Sequence, residues 1–176
     1  MQVRPSTKKD IRVFKDFWDC AVDYQKARNL PLWPCFPQQM IEDEIEHAMH
    51  FSVRLSDGCL AGYFSAALRD RLIWGEKDRD NAVYIHRMCV NPERKGNHLS
   101  RLVLAWAIKH ASGSGRRFVR MDTWADNRPL VEHYIACGFC YIGDLQLGEA
   151  PLLPSHYKNT KLALFQNSIG PDRRRS

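Results

Sequence analysis

The turn formed by residues 90–100 could bind an anionic group such as a pyrophosphate. It carries two adjacent cations, Arg94 and Lys95, next to Gly96, and it follows the strand-like run Ala82–Val90. A turn that leads from a strand directly into a helix points several backbone N–H groups at one place, where the helix dipole adds positive potential. One glycine is a weak signal, however, and a plain connection between a strand and a helix explains the turn equally well.

Asn127 and Tyr134 follow the next strand-like run, residues 118–124, and both have polar side chains that could bind a ligand or transfer a proton. Asn127 precedes a helix predicted over residues 129–137, where it could cap the helix or hydrogen-bond a ligand. Tyr134 lies one turn before the end of that helix, which Gly138 is expected to close with a left-handed residue. Because a tyrosine hydroxyl has a pKa of about 10, it is a neutral proton donor at pH 7. By itself, Tyr134 could equally be a partly buried helix residue.

The elements that must position these residues alternate between strands and helices. The patterns predict strands at residues 1–3, 50–55, 60–68, 82–90, 118–124, 139–147 and 160–165. They predict helices around residues 11–22, 41–48, 99–110 and 129–137. Asp57-Gly58 marks a tight turn between two strands, residues 69–81 form a polar connection, and the proline-rich residues 30–37 form a loop packed over other structure.

This order indicates one α/β or α+β domain around a mixed, twisted sheet. Neither half of the chain has enough strands for a sheet of its own. We therefore predict a single domain over residues 1–166 and a basic, flexible tail over residues 167–176.

Composition excludes several classes of protein. With 176 residues, 44% of them hydrophobic and 26% charged, the chain can bury a core and is not disordered throughout. Apolar runs are too short for a membrane span and no export signal is visible, so we expect a cytoplasmic protein without membrane contact. The net charge of +6 comes without a nucleic-acid-binding module, which argues against nucleic acid as a partner.

The cysteines and histidines do not form a metal-binding pattern. Six cysteines in a chain without an export signal indicate reduced thiols, and the single C-x-x-C at Cys137 and Cys140 lacks a second ligand pair. The seven histidines show no metal spacing. We expect no metal.

Together, the segment Val90–Ser100, Asn127, His133-Tyr134 and Gly138-Phe139 resemble the GNAT superfamily of acetyl-CoA-dependent N-acetyltransferases. The order and spacing of the elements match over residues 82–144. The family's signature, Gln/Arg-x-x-Gly-x-Gly/Ala, falls on residues 95–100. Three positions depart from it: Lys95 replaces Gln or Arg, His98 replaces Gly, and Ser100 replaces Gly or Ala.

The resemblance implies a GNAT-like sheet of six to seven strands, with helices on both faces and two central strands splayed apart at the cofactor. Acetyl-CoA is then the co-substrate, and its pantetheine arm hydrogen-bonds the main chain beside that gap. The cofactor-binding residues it implies are Met88, Cys89, Val90, Lys95, Gly96, Asn97, His98, Leu99, Ser100 and Asn127. The resemblance gives Tyr134 the role of protonating the departing thiolate.

The residue that deprotonates the amine is less evident. An alkyl ammonium has a pKa of about 10.4 and must lose a proton before its nitrogen can attack. His86 on the central strand is the first candidate, Asp122 and Asp126 are others, and a water relay through any of them would also serve. A satisfied strand histidine explains His86 equally well.

The resemblance thus implies an N-acetyltransferase that joins acetyl-CoA to a primary amine by direct attack in a ternary complex. The alternative is a non-catalytic acyl-CoA-binding or regulatory domain with an altered signature loop. The acceptor is a small-molecule or peptide amine, and polyamine, antibiotic, amino acid, peptide terminus and protein lysine remain open. A homodimer is compatible with the resemblance.

Overall fold

The computed structural model describes residues 2–94, 98–149 and 151–170 of the chain. In these residues, seven strands form one open sheet in the order β1-β2-β3-β4-β5-β7-β6. The strands are β1 (Gln2–Pro5), β2 (His50–Arg54), β3 (Leu60–Ala67), β4 (Ala82–Val90), β5 (Phe118–Trp124), β6 (Tyr141–Gln146) and β7 (Lys161–Ser168). The helices are α1 (Ile11–Ala27), α2 (Gln38–Glu46), α3 (Arg71–Trp74), α4 (Leu99–Gly113) and α5 (Arg128–Ala136).

The sheet is mixed. β1, β2 and β3 pair in antiparallel fashion, and so do β5, β7 and β6. β4 and β5 are parallel, with a register that runs from Ala82 opposite Phe118 to Ile85 opposite Met121. The predicted fold class, an α/β domain around a mixed sheet, is confirmed.

The chain divides into two compact units, and β4 contributes to both. The first unit comprises Met1–Ala66 and His86–Ser100. Its core cluster consists of Phe14, Phe17, Ile41, Leu60, Tyr63 and Cys89. The proline-rich loop packs here as predicted, because the Trp33 ring lies 4.3 Å from that of Trp18, whose indole N–H donates to the Pro34 carbonyl at 3.0 Å.

The second unit comprises Ala67–Ile85 and Arg101–Ser176. At its centre is Arg120 of β5, which is only 1% exposed. Its guanidinium lies 4.7 Å from the centre of the Trp74 ring and 4.9 Å from that of Phe118. It donates to the Asp80 carboxylate at 2.6 Å, to the Gln166 side chain at 2.8 Å, and to the Lys77 carbonyl. The buried charge is therefore paired and stacked.

Most predicted elements agree with the structure, and residues 69–81 are the main difference. This polar stretch contains α3 and a following 3₁₀ helix, Gly75–Asp80. The Asp70 carboxylate caps α3 by accepting from the Ile73 N–H, and Trp74 is buried against Arg120. β7 extends through Ser168, two residues into the predicted tail.

All six cysteines are free thiols in the structure, and Cys89 alone is buried. Within the residues that the structure describes, no helix is long and apolar enough to cross a membrane.

Candidate active site

The carboxyl end of β4 lies very close to β3, and Gly62 makes this approach feasible. A Cβ atom at Gly62 would lie 2.4 Å from the Cys89 carbonyl oxygen and 2.7 Å from Cδ2 of Leu99. No side chain fits in that space. Gly62 was not among the residues predicted from the sequence, although a glycine inside a strand pattern signals close approach of another backbone.

Asn91 ties the start of the candidate pyrophosphate turn to β3. Its N–H donates to the Ala61 carbonyl at 2.9 Å, and its Nδ2 donates to the Leu60 carbonyl at 2.8 Å. Its Oδ1 accepts from the Glu93 N–H at 2.9 Å, which begins a short 3₁₀ turn over Pro92–Arg94. The turn therefore leaves the sheet from a fixed position.

The turn ends at His98, which has a left-handed backbone. Its φ is +52°, a conformation that favours glycine, and its side chain is exposed. Leu99 and Ser100, which begin α4, are buried at 4% and 5% exposure, so a ligand at the turn would meet the backbone of Leu99 rather than its side chain. The predicted residues Lys95, Gly96 and Asn97 lie outside the described residues.

Met88, Cys89 and Val90 occupy the last three positions of β4. Cys89 is 2% exposed, and Met88 and Val90 are half-buried. Burial raises the pKa of the Cys89 thiol to about 12, so the thiol is neutral at pH 7.

His86, the first candidate for the base, is half-buried on the same strand. Burial, and secondly the neighbouring Arg87 charge, lower the pKa of His86 to about 3. The imidazole is therefore neutral at pH 7, and its low basicity makes removal of a proton from an ammonium group strongly unfavourable.

A largely buried charged pair lies beside this part of β4, and it was not among the residues predicted from the sequence. Arg87 forms an ion pair with Glu44 of α2, and the Ser65 hydroxyl donates to the other Glu44 oxygen at 2.6 Å. Burial raises the pKa of Glu44, and the Arg87 charge and the Ser65 hydrogen bond oppose that rise. Arg87 also has a left-handed backbone, with φ of +49°.

The other two predicted residues belong to the second unit. Asn127 is the N-cap of α5, since its Oδ1 accepts from the Leu130 N–H at 3.4 Å. Tyr134 is 7% exposed, and its ring makes edge contacts with Phe139 and Phe165 at centroid distances of 5.6 and 5.8 Å. The α5 helix stops at the predicted place, where Gly138 has φ of +101°.

Of the predicted residues, Cys89, Val90 and Leu99 come together around Gly62, where each has an atom within 3.3 Å of the Cβ position of that residue. His86, Met88, Cys89, Val90, His98, Leu99 and Ser100 belong to the first unit. Of the alternative bases, Asp122 is half-buried on β5 and Asp126 is exposed.

Comparison with known proteins assigns the chain to a family. Residues 11–139 match the acetyltransferase (GNAT) family. The chain is also 30% identical over 74 residues to YesJ of Bacillus subtilis (strain 168), an uncharacterized N-acetyltransferase. That match spans 42% of this chain and 41% of the relative's length.

Solved structures with the same fold cover nearly the whole chain. An acetyltransferase of the GNAT family from Listeria monocytogenes 4b F2365 superimposes with a TM-score of 0.73 at 22% identity, covering 96% of this chain and 94% of the other. The structure of yncA from Salmonella typhimurium with its cofactor acetyl-CoA gives 0.68 at 17% identity, with 97% and 94% coverage. Spermidine N-acetyltransferase from Vibrio cholerae, in complex with CoA and spermine, gives 0.64 at 13% identity, with 96% and 95% coverage.

The chain therefore belongs to the acetyltransferase (GNAT) family, and the resemblance found in the sequence is confirmed.

Proposed function

We propose that this protein transfers the acetyl group of acetyl-CoA to a primary amine by direct attack in a ternary complex. The observation that carries the proposal is the backbone at His98. Although the signature glycine is replaced by histidine, the residue takes the left-handed conformation that glycine favours, directly before α4. His98 therefore has a backbone conformation that suits an anion at the start of a 15-residue helix.

The donors available in this chain suit acetyl-CoA. Backbone N–H groups at the start of α4 would hold the pyrophosphate, together with Lys95, Gly96 and Asn97. The main chain of Met88, Cys89 and Val90 would hydrogen-bond the pantetheine arm. Asn127 uses its Oδ1 to cap α5, so its Nδ2 is the group it would offer to the cofactor. When bound, acetyl-CoA supplies the activated acyl group.

In the proposed reaction, the amine nitrogen forms a bond to the acyl carbon while the carbon–sulfur bond breaks. Tyr134 donates its hydroxyl proton to the departing sulfur, which makes the thiol a better leaving group, and solvent returns a proton to Tyr134. The amine proton leaves to solvent or a water relay. His86 remains a candidate for contact with the acceptor amine. Its neutral imidazole would accept a hydrogen bond from the attacking nitrogen.

The chemistry of Cys89 supports direct transfer over an acyl-enzyme. It is the one cysteine among the predicted cofactor-binding residues, and burial keeps its thiol protonated. The thiolate is the nucleophilic form of cysteine, so Cys89 is poorly suited to attack a thioester.

The first test combines cofactor binding with thiol release. Calorimetric titration with acetyl-CoA and, separately, with CoA should give micromolar binding, and absence of binding at millimolar cofactor would overturn the assignment. Amine acceptors, beginning with polyamines because a structural neighbour binds spermine, are then screened for acetyl-CoA-dependent thiol release.

The decisive variant is Tyr134→Phe, which keeps the ring that packs on Phe165. We expect turnover to fall by about 100-fold or more while the Kd for acetyl-CoA stays within about twofold. Tyr141→Phe is the matched control, because the Tyr141 ring also packs on Phe165, at 5.9 Å, and its loss of a hydroxyl should leave turnover unchanged. Cofactor binding with no turnover for any amine would favour the non-catalytic alternative.

A further inference from the structure

We propose that Glu44 and Ser65 are positioning residues that hold a left-handed kink in β4 at Arg87, and that this kink aims the main chain of Met88–Val90 at acetyl-CoA. The proposal rests on the function proposed above. It begins from the φ of +49° at Arg87, which lies inside a strand. A residue with a long side chain rarely adopts this backbone conformation, and the surrounding structure must stabilise it.

The contacts of the Arg87 side chain supply that stabilisation. Its Nη2 pairs with Glu44 Oε1, and the two side chains are only 21% and 11% exposed. Ser65 of β3 donates to Glu44 Oε2 at 2.6 Å, so both carboxylate oxygens are engaged. A paired, hydrogen-bonded carboxylate with little exposure has few alternative positions, and it fixes the guanidinium that it binds.

The helix that carries Glu44 is itself fixed in the first unit. Ile41 lies one turn earlier on α2, is fully buried, and belongs to the core cluster that also contains Cys89. At the other end, the Met49 N–H donates to the Glu44 carbonyl at 2.7 Å. The path from the core through Glu44 to Arg87 is therefore continuous, and it ends one residue before Met88.

The kink matters because of the residues that follow it. A positive φ inside a strand turns the backbone that follows, so it changes the direction of the N–H and C=O groups of Met88, Cys89 and Val90. If the kink relaxed to ordinary strand geometry, only a fraction of molecules would present these groups correctly. The apparent Kd for acetyl-CoA would then rise by the inverse of that fraction.

The test compares two double variants that differ only in their freedom to adopt a positive φ. Glu44→Ala alone leaves the Arg87 charge unpaired and should weaken acetyl-CoA binding by about tenfold or more. Glu44→Ala/Arg87→Gly removes the charge and supplies a residue that adopts φ of +49° freely, so binding should return to within about twofold of wild type. Glu44→Ala/Arg87→Ala also removes the charge but disfavours the kink, so its binding should remain weak.

Glu46→Ala is the matched control, because Glu46 also lies on α2 and also forms an ion pair, with Lys8, but at 55% exposure. It should bind acetyl-CoA as wild type does. Denaturant unfolding of the two double variants gives an independent readout, in which the glycine variant should be the more stable.

Equal acetyl-CoA affinity of the two double variants, or greater stability of the alanine variant, would overturn the proposal. If wild type itself fails to bind acetyl-CoA, the proposed function falls instead, and the two failures are thereby distinguished.

Discussion

The position where this chain departs most from its family's signature is also one where its backbone is strained. His98 has φ of +52°, and a left-handed conformation costs an L-residue about 1–2 kcal/mol relative to glycine. The exposed imidazole also stands at the turn where the phosphates would bind. Two separate effects, strain and bulk, therefore act at a single residue.

We expect His98→Gly to tighten acetyl-CoA binding by about threefold to tenfold and to raise the free energy of unfolding by up to about 1 kcal/mol. His98→Ala separates the two effects, because it removes the ring but keeps the conformational cost. Titration calorimetry and urea unfolding measure both. Weaker binding by His98→Gly would mean that the imidazole itself contributes to holding the cofactor.

At the scale of the element, the close approach of β3 and β4 depends on the absence of a side chain at Gly62. We expect Gly62→Ala to be strongly destabilising, because its Cβ would lie 2.4 Å from the Cys89 carbonyl oxygen and one strand would have to move. The cost should be about 2–4 kcal/mol, with acetyl-CoA affinity reduced at least tenfold. Ala61→Gly, one residue earlier on the same strand, is a control for the effect of changing β3.

Urea unfolding with acetyl-CoA titration tests this prediction. If Gly62→Ala retained wild-type stability and affinity, the close approach of β4 to β3 would not be a requirement of the site.

The elements themselves could largely be predicted from the sequence, because long apolar runs and periodic patterns report burial. β5 is correct to the residue, and β4 is too, since nine consecutive residues read as a strand. α3 was not predicted because a four-residue helix is too short to show periodicity, and its apolar run Leu72-Ile73-Trp74 lies in an otherwise polar stretch.

The details of the site were harder to predict for a different physical reason. α2 carries four acidic residues, and only the packing of the helix decides that Glu44 is buried while its neighbour Asp43 is exposed. The left-handed backbone at Arg87 has no sequence signal, since arginine does not favour it. A motif could point to the turn and to Tyr134 as predicted site residues, whereas the residues proposed to orient β4 are brought together only by tertiary contacts.

At the scale of the whole molecule, buried neutral histidines should make stability depend on pH. His50 is fully buried, with its Nδ1 2.8 Å from Ser6 Oγ. Burial is the larger cause and the Arg87 charge the smaller cause that lower the pKa of His50 to about 3. In the unfolded chain the pKa of a histidine is about 6.5. Between these values the unfolded chain binds the additional proton, so stability is greatest above about pH 6.5 and falls as the pH drops.

We expect this histidine to contribute a slope of about 1.4 kcal/mol per pH unit between pH 6 and pH 4, and His86 to contribute in the same direction. His50→Phe combined with Ser6→Ala removes the titrating ring and its partner. The slope should then fall by about 1.4 kcal/mol per pH unit, which corresponds to the uptake of one proton. His47→Gln, at an exposed histidine, is the control. Unfolding free energies measured by denaturant at several pH values give the slopes, and an unchanged slope in the double variant would contradict the assignment.

The buried Arg120 of the second unit should affect how readily proteases cleave residues 69–80. Residues 69–80 present four exposed basic side chains, Arg69, Arg71, Lys77 and Arg79, and so read as a series of trypsin sites. Yet the Lys77 carbonyl and the Asp80 carboxylate are both held by Arg120, and Trp74 stacks on the same guanidinium. A protease binds its substrate as an extended segment of several residues. Residues 74–80 could become extended only if Trp74, Lys77 and Asp80 lost their contacts with the buried Arg120 guanidinium. Cleavage within residues 74–80, which look like part of an exposed linker, should therefore require the contacts with Arg120 to break first.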